Sequence, residues 1–284
     1  MASSKVAVVT GGNKGIGFEI VKGLCKKFDG VVYLTARDIS RGVGAVSKLQ
    51  ELGLKPKFHQ LDITDQKSLN NFKKYLQENY GGLDVLVNNA AIAYKVDATE
   101  PFAEQAKNTI AVNYFSLLAT CHTLFPLLRP HARVVNLSSS YGHLSRIPGQ
   151  KLRDKLSSSS LTEEQLSGLM NAFVKSVEEG NHQAEGWPNS CYQVSKVGVS
   201  ALTFIQQRAF NSDPRQDIVV NAVHPGYVQT DMSSNKGDLT PEQGADAAIY
   251  LALLPANIEA PRGAYIWWDR RIVDWVNKPD DLSL

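Results

Sequence analysis

The chain has 284 residues, a formal net charge of +2 and 43% hydrophobic residues, which suffices for one large domain with a substantial core. The near-neutral charge and the scattered lysines and arginines give no electrostatic footprint for nucleic acid or for an anionic membrane. Three cysteines (Cys25, Cys121 and Cys191) and six histidines without metal-ligand spacing exclude a disulfide framework and predict no metal site.

The N-terminal stretch MASSKVAVV lacks the apolar segment of a signal peptide, and the C-terminal DLSL is no retention signal. We also expect no stretch of membrane-spanning length. No linker rich in proline, glycine or serine divides the chain. We therefore predict a single cytoplasmic domain over residues 1–284.

Short β-rich runs alternate with helical patterns along the chain. The runs are Val6–Thr10, Val31–Ala36, Lys57–Leu61, Val85–Asn88, Arg133–Ser138, Ile218–Val223 and Ala264–Trp267. Near-continuous apolar strands separated by helices predict an α/β fold with a doubly wound parallel sheet (Rossmann fold) of about seven strands. Ligands of such sheets bind beyond the carboxyl ends of the strands, where the polar clusters of this chain fall.

The stretch Val6–Gly17, VAVVTGGNKGIG, is an apolar run that turns through glycines into a helical pattern. Gly11, Gly15 and Gly17 allow positive φ and tight helix packing, and the free N–H groups of the helix can face a phosphate. Their spacing, G-x-x-x-G-x-G, differs from the general fingerprint G-x-G-x-x-G. A plain turn is the alternative, but the flanking strand and helix favour a nucleotide site.

Basic residues follow the second predicted strand, where a dinucleotide site selects its cofactor. Arg37 and Arg41, with Lys14 in the glycine turn, favour the 2′-phosphate of NADP. Alternatively, these are solvated charges, and Asp38 caps the next helix or binds the ribose. Asp62, after the third strand, is either an acceptor for the adenine amine or a helix N-cap.

Small and amide residues follow the fourth strand as Asn88-Asn89-Ala90-Ala91, where the backbone can approach a ligand or simply turn. Asn113 lies among apolar residues in the helical run Glu104–Leu118. A polar residue in such a helix costs stability unless its amide is paired. Asn113 is therefore either a satisfied buried asparagine or a functional residue.

The fifth strand ends in a hydroxyl cluster, Ser138-Ser139-Ser140, which is either a ligand site or a turn. The long connection to Tyr192 indicates an insertion over residues 141–186 or so. Within it, a capping box at Thr162 starts a helix with an apolar stripe: Leu166, Leu169, Met170, Phe173, Val174 and Val177. We expect the stripe to pack back on the domain and leave a monomer with a lid beside the substrate cleft. An oligomer contact is the alternative.

Tyr192 and Lys196 are spaced i, i+4, so on a helix the phenol and the ammonium face the same way. A tyrosine pKa of about 10 is high for proton exchange near neutrality, and a nearby lysine lowers it. A Tyr-x-x-x-Lys sequence alone is usually a surface pair. Its position after the glycine turn, the Asn-Asn-Ala segment and the serine cluster favours catalysis.

The turn Pro225-Gly226 bends the chain after the sixth strand. His224, just before this proline, is either an acid/base or, as we favour, a structural residue. Tyr141, Tyr227 and Trp187 form either an aromatic substrate wall or ordinary core and rim positions. The sequence explains no function for the tail tryptophans, which are Trp267, Trp268 and Trp275.

The motifs TGGNKGIG, NNAA, Ser139 and Tyr192-x-x-x-Lys196, in this order, resemble the short-chain dehydrogenase/reductase family from about Lys5 to the C-terminal region. LTARD, GGLDVLVNNA, EGWP and YLALLP make the chain most similar to the monomeric, NADPH-dependent carbonyl reductases of that family. Ala91 stands where the family has a glycine. The resemblance implies reduction of a small-molecule aldehyde, ketone or quinone with NADP(H).

The resemblance also implies roles for single residues. Tyr192 donates the proton, Ser139 orients the carbonyl oxygen, Lys196 lowers the pKa of Tyr192 and holds the nicotinamide ribose, and the backbone carbonyl of Asn113 holds a relay water. The implied cofactor residues are Gly11, Asn13, Lys14, Gly15, Ile16, Gly17, Arg37, Arg41, Asp62, Ile63, Asn89, Ala90, Tyr192, Lys196, Pro225, Gly226, Val228 and Thr230. The implied substrate residues are Ser139, Tyr141, Trp187, Tyr192 and Tyr227.

Two other functions fit the same residues. One is an NADP-dependent dehydrogenase that oxidises a steroid, prostaglandin or other alcohol, since the same groups serve both directions. The other is a nucleotide-binding regulator without catalysis. The intact set of Asn113, Ser139, Tyr192 and Lys196 argues against the regulator.

Overall fold

Strands and helices alternate along the chain in a computed structural model, which describes residues 4–277. The strands are β1 (Val6–Val9), β2 (Val31–Ala36), β3 (Lys57–Gln60), β4 (Leu83–Asn88), β5 (Leu128–Leu137), β6 (Val219–Val223), β7 (Tyr265–Ile266) and β8 (Ile272–Val273). They form one eight-stranded sheet in the order β3-β2-β1-β4-β5-β6-β7-β8. Every pairing is parallel except β7 with β8, the short strand that the sequence did not predict.

The helices are α1 (Gly15–Lys27), α2 (Ile39–Glu51), α3 (Gln66–Tyr80), α4 (Phe102–Ile110), α5 (Leu117–Leu124), α6 (Gln150–Leu156), α7 (Glu163–Glu178), α8 (Cys191–Asn211) and α9 (Pro241–Ala252). They cover both faces of the sheet. Along β1, Ala7 and Val9 pack in the cluster that includes α1 and α9, whereas Val6 and Val8 pack in the cluster that includes α3. This alternation of side chains is why the strand is apolar throughout.

The register brings the carboxyl ends of the central strands to one edge. Asn88 of β4 pairs with Asn136 of β5, and Leu137 of β5 pairs with Val223 of β6. The amide of Ser138 extends the ladder by donating to the carbonyl of Val223 at 2.8 Å. The predicted polar clusters therefore lie together, as expected for a parallel sheet.

The expectation that no stretch reaches membrane-spanning length is wrong for one continuous helix, Phe102–Leu127. It has 26 residues and a window of mean hydropathy 1.3, so it is long and apolar enough to cross a membrane by length and composition. However, 61% of that window is buried inside the protein, and a single helix of this kind is weak evidence for a membrane span. Its apolar character has a local cause, since α4 packs against α7 and α8.

The predicted capping box begins α7. Gln165 donates its backbone N–H to the Thr162 hydroxyl at 3.2 Å, and the Gln165 side chain accepts from the Thr162 amide at 3.0 Å. Leu166, Met170 and Phe173 of the apolar stripe are buried against α4 and α8. The stripe is therefore covered within the chain.

Candidate active site

The glycine turn between β1 and α1 forms a close-fitting cradle. Gly11 and Gly15 have φ of +63° and +55°, as their predicted role requires. A Cβ at Gly17 would lie 2.4 Å from Nδ2 of Asn89 and 2.5 Å from the carbonyl oxygen of Gly11. Only glycine fits at this position, and the first-turn N–H groups of α1, at Gly15, Ile16 and Gly17, have no acceptors within the helix.

Asn89, after β4, supports this cradle. Its Nδ2 donates to the carbonyls of Thr10 and Gly11 at 2.9 and 3.0 Å. The backbone amides of Asn89 and Ala90 both donate to the Thr10 hydroxyl, at 3.0 and 3.1 Å. The amides of the Asn-Asn-Ala segment thus satisfy polar groups of the glycine turn, which fixes its shape.

Positive charges lie at the end of β2 without a competing carboxylate. Arg37 and Arg41 are exposed. Asp38 caps α2 by accepting from the Arg41 amide at 2.8 Å and from the Ser40 hydroxyl at 2.7 Å. These hydrogen bonds hold the pKa of Asp38 below its usual value. Oδ1 of Asp38 therefore caps α2, as one of the two alternatives for this residue predicted.

Lys14 and Asp62 have partners that the sequence did not predict. Lys14 Nζ lies 2.8 Å from a carboxylate oxygen of Asp231, with both side chains largely exposed. Asp62 accepts from the amide and hydroxyl of Thr64 at 2.9 and 2.7 Å. The N-cap of α3 is Asp65, so the alternative of a cap at Asp62 is wrong.

The segment after β6 lies across the glycine turn. Thr230 faces Gly15 closely, since a Cβ added there would lie 3.3 Å from the Thr230 Cγ2. Gly226 has φ of +86°, a Cβ added there would lie 2.3 Å from Cδ1 of Leu239, and Val228 is buried. The remaining predicted contacts are half-buried at the same edge: Asn13, Ile16, Ile63 and Pro225.

Ser138 and Ser139 differ in their surroundings. The buried Ser138 hydroxyl lies 2.7 Å from that of Ser200 and 3.2 Å from the carbonyl of Lys196, so it is part of the core. The Ser139 hydroxyl accepts from the Tyr141 amide at 3.2 Å, and the Ser139 side chain is close enough to Tyr192 to lower the pKa of its phenol. The structure therefore brings Ser139, rather than Ser138, to the tyrosine.

Lys196 lies under Tyr192, as the i, i+4 spacing predicts. Its Nζ donates to the carbonyl of Leu137 at 2.7 Å and lies 5.7 Å from the centroid of the Tyr192 ring. Burial lowers the pKa of Lys196 to about 8. Burial raises the pKa of Tyr192 to about 12, while the nearby Ser139 side chain lowers it. The direction is opposite to the predicted one, because burial outweighs the lowering by Ser139, while the Lys196 ammonium donates to the Leu137 carbonyl.

Asn113 lies in a π-helical segment, Ala111–Ser116, between α4 and α5. Its Oδ1 accepts from the amide of Ile92 at 2.8 Å, and its Nδ2 donates to the Ile92 carbonyl at 2.9 Å and to the Ser195 hydroxyl at 3.0 Å. The buried amide is thus fully paired. It also ties the loop after β4 to the turn of α8 that carries Tyr192.

The peptide that follows Ser139 is held on both sides, a feature that sequence reasoning missed. The Tyr265 hydroxyl donates to the Ser139 carbonyl at 2.5 Å, and the Ser140 amide donates to Nδ1 of His224 at 2.9 Å. Burial lowers the pKa of His224 to about 3, so its imidazole is neutral and can accept. We call Tyr265 and His224 the serine clamp.

The tail tryptophans surround this clamp. Trp267 packs on His224 with ring centroids 4.3 Å apart, and the Trp275 indole donates to the Gly142 carbonyl at 2.6 Å. Trp268 is partly exposed beside Gly226. The tryptophans thus brace the turn that carries Ser139.

The predicted aromatic wall is only partly present. Tyr141 and Tyr227 are 44% and 52% exposed, and the edge of Tyr141 meets Tyr192 at a centroid distance of 6.2 Å. The structure does not bring Trp187 to this wall, because it is buried against Phe173 of α7. Met232, which the sequence did not single out, lies with its Sδ 4.0 Å from the Tyr192 hydroxyl.

Comparison with known proteins gives close matches. The family model described as short chain dehydrogenase matches residues 5–150. The chain is 48% identical over 277 residues to carbonyl reductase (NADPH) 1 of Bos taurus, which covers 96% of this chain and 99% of the relative.

Solved structures are also similar. Salutaridine reductase from Papaver somniferum superposes with a TM-score of 0.84 at 32% identity, over 93% of this chain and 99% of that one. Menthone neomenthol reductase from Mentha piperita gives a TM-score of 0.79 at 30% identity, over 95% and 100%.

Proposed function

This chain belongs to the short chain dehydrogenase family, and on that premise we propose that it reduces small aldehydes, ketones or quinones to alcohols with NADPH. One observation carries the proposal. The Ser139 side chain interacts with Tyr192, and the buried Lys196 ammonium lies 5.7 Å from the centroid of the Tyr192 ring, at the strand edge that also holds the glycine cradle. The names of the mammalian relatives, carbonyl reductase (NADPH), support the same activity.

The cradle residues fit a dinucleotide, because a side chain at Gly17 would fill the space beside Asn89. The cofactor, when bound, supplies the hydride. We assign its phosphates to the amides of α1 and to Thr230, and its 2′-phosphate to Arg37 and Arg41. Lys14 can join them, since its exposed ion pair with Asp231 contributes little stability.

Tyr192 is assigned as the proton donor. Burial raises the pKa of Tyr192, so its phenol is protonated at neutral pH and can donate to the substrate oxygen. The alkoxide that forms on the substrate is the conjugate base of a weaker acid than a phenol, so the transfer from the Tyr192 hydroxyl is favourable. Ser139 donates a hydrogen bond to the same substrate oxygen and stabilises its developing charge.

Lys196 and Asn113 are assigned supporting roles. The Lys196 ammonium holds the nicotinamide ribose and, when protonated, stabilises negative charge that develops on Tyr192. The side chain of Asn113 is committed to Ile92 and Ser195, so its contribution to the proton relay must come through its backbone carbonyl and a water.

We further propose a cytoplasmic monomer with small-molecule substrates and without nucleic acid or membrane partners. The burial of the α7 stripe against α4 and α8 supports the monomer, because no apolar stripe on α7 is left for a second copy. The free thiols of Cys25, Cys121 and Cys191 are compatible with a reducing compartment. Size-exclusion chromatography with light scattering should give the mass of one chain, and a dimer mass would contradict this.

A panel of quinones, dicarbonyls and aldehydes, assayed by loss of reduced-nicotinamide absorbance with NADPH and with NADH, tests the function. We expect turnover with NADPH and a much lower kcat/KM with NADH. Absence of turnover with every reactive carbonyl would favour the non-catalytic regulator. Faster oxidation of alcohols by NADP than reduction of the matching carbonyls would favour the oxidative dehydrogenase.

A further inference from the structure

Arg146 lies at the rim of the cleft, in the turn Leu144–Arg146 that follows Ser139. The carbon of its guanidinium lies 4.9 Å from the centroid of the Tyr141 ring. The edge of that ring in turn contacts Tyr192. Arg146 therefore lies two ring contacts from the proposed proton donor.

The Arg146 guanidinium has no hydrogen bond or ion pair within residues 4–277, and its buried Nε has no acceptor there. Apart from Arg37 and Arg41, every other arginine of the chain holds a carboxylate or carbonyl partner. Arg37 and Arg41 are exposed and are the residues assigned to a phosphate. Arg146 differs from them because it is half-buried.

A half-buried guanidinium without an acceptor is unfavourable, since buried donors are almost always paired. Stacking on Tyr141 holds the plane of the guanidinium, while the N–H groups along its edge stay available. This fixed fork matches the two oxygens of a carboxylate. The second observation, the ring contact from Tyr141 to Tyr192, connects the fork to the reacting end of the cleft.

We propose that Arg146 binds a carboxylate of the substrate, so that the enzyme acts best on carbonyl compounds that carry a carboxylate several bonds from the carbonyl group. The assignment rests on the proposed function. The ring contacts of 4.9 and 6.2 Å that separate Arg146 from Tyr192 favour a flexible chain between the two groups. They disfavour an α-keto acid, whose carboxylate adjoins the carbonyl.

The test compares 6-oxohexanoate with its methyl ester, which keeps the aldehyde and removes the charge. We expect the wild-type kcat/KM to be about tenfold higher for the acid, as a charge-assisted hydrogen bond would give. Arg146→Gln should bring the ratio to about one and leave the ester unchanged. Arg146→Lys, which keeps a charge without the fork, should retain part of the preference.

Lys151→Gln on α6 is the matched control, because it removes an exposed positive charge from the same insertion; it should keep the wild-type preference. Equal kcat/KM for acid and ester in the wild type would overturn the assignment without the need for any variant. An equal fall in kcat/KM for acid and ester in Arg146→Gln would also overturn the assignment. So would loss of the preference for the acid in Lys151→Gln. Reduction of neither substrate, nor of any quinone or dicarbonyl, would instead refute the proposed function.

Discussion

The end of β5 and the end of β1 form two halves of the same cleft, and they are built in opposite ways. Around Ser139, buried polar groups hold one another: the serine clamp fixes the peptide, and Ser138 lies in the core. Around the glycine turn the backbone is fixed, but the side chains that would select a cofactor, Arg37 and Arg41, are exposed. On the proposed function, we expect proton chemistry to depend on the rigid interior and cofactor selectivity to depend on the exposed charges.

Ser139→Ala is expected to give the largest effect among the variants that probe this difference. Turnover should fall about 10²- to 10³-fold, the usual loss on removing one donor to a developing oxyanion. Steady-state kinetics with a quinone would measure it. In the control, Ser138→Ala, turnover should stay near wild type while the buried hydrogen-bond loss lowers the unfolding free energy by about 1 kcal/mol. The reverse pattern would mean that Ser138 faces the substrate.

The pH dependence of kcat/KM should reflect the titration of the buried Lys196. Because burial lowers the pKa of Lys196 to about 8, its charge is present below that pH and is lost above it. kcat/KM should therefore fall about tenfold per pH unit above roughly pH 8. Lys196→Arg, whose charge persists, should remove this decline from whatever activity remains. A profile that is flat to pH 10 would contradict the lowered pKa of Lys196.

The serine clamp should show a smaller effect. Tyr265→Phe removes the hydroxyl that donates to the Ser139 carbonyl but keeps the ring in the core. We expect about a tenfold fall in kcat with little change in the KM for NADPH, and about 1 kcal/mol less stability. Tyr250→Phe on α9 is a control in a different core cluster, since Tyr250 packs with α1 and α9 and Tyr265 does not. If kcat is unchanged in Tyr265→Phe, the clamp is structural only.

The exposed arginines Arg37 and Arg41 should respond differently from the buried residues around Ser139. Arg37→Gln and Arg41→Gln should each raise the KM for NADPH by several-fold to about tenfold, leave the values for NADH unchanged, and not alter the melting temperature. Raised salt should reproduce part of this effect in the wild type, since exposed charges are screened. A loss of NADH activity would show that these arginines support the fold instead.

Local patterns of the sequence predicted much of this molecule. Continuous apolar runs placed the parallel strands, and their ends located the cleft. The i, i+4 spacing correctly placed Lys196 beside Tyr192. The short antiparallel β8 was missed because two residues carry no periodic signal.

The features that the sequence did not predict depend on contacts between residues far apart in the chain. Tyr265 and Ser139 are 126 positions apart, and a central tyrosine in an apolar strand looks like any core aromatic. The π-helical turn at Asn113 has the apolar pattern of an α-helix. The pKa of Tyr192 was predicted in the wrong direction because the i, i+4 spacing gives no information on burial, which is the largest cause of the shift.

The central claim is that Tyr192 supplies the proton while other residues hold the cofactor. Its most direct test is Tyr192→Phe, with single-turnover NADPH oxidation by a quinone and the NADPH dissociation constant measured on the same preparation. We predict that the oxidation rate falls by about 10²- to 10⁴-fold while NADPH affinity stays within a factor of about three. Equal loss of rate and affinity, or an unchanged rate, would contradict the assignment of Tyr192 as the proton donor.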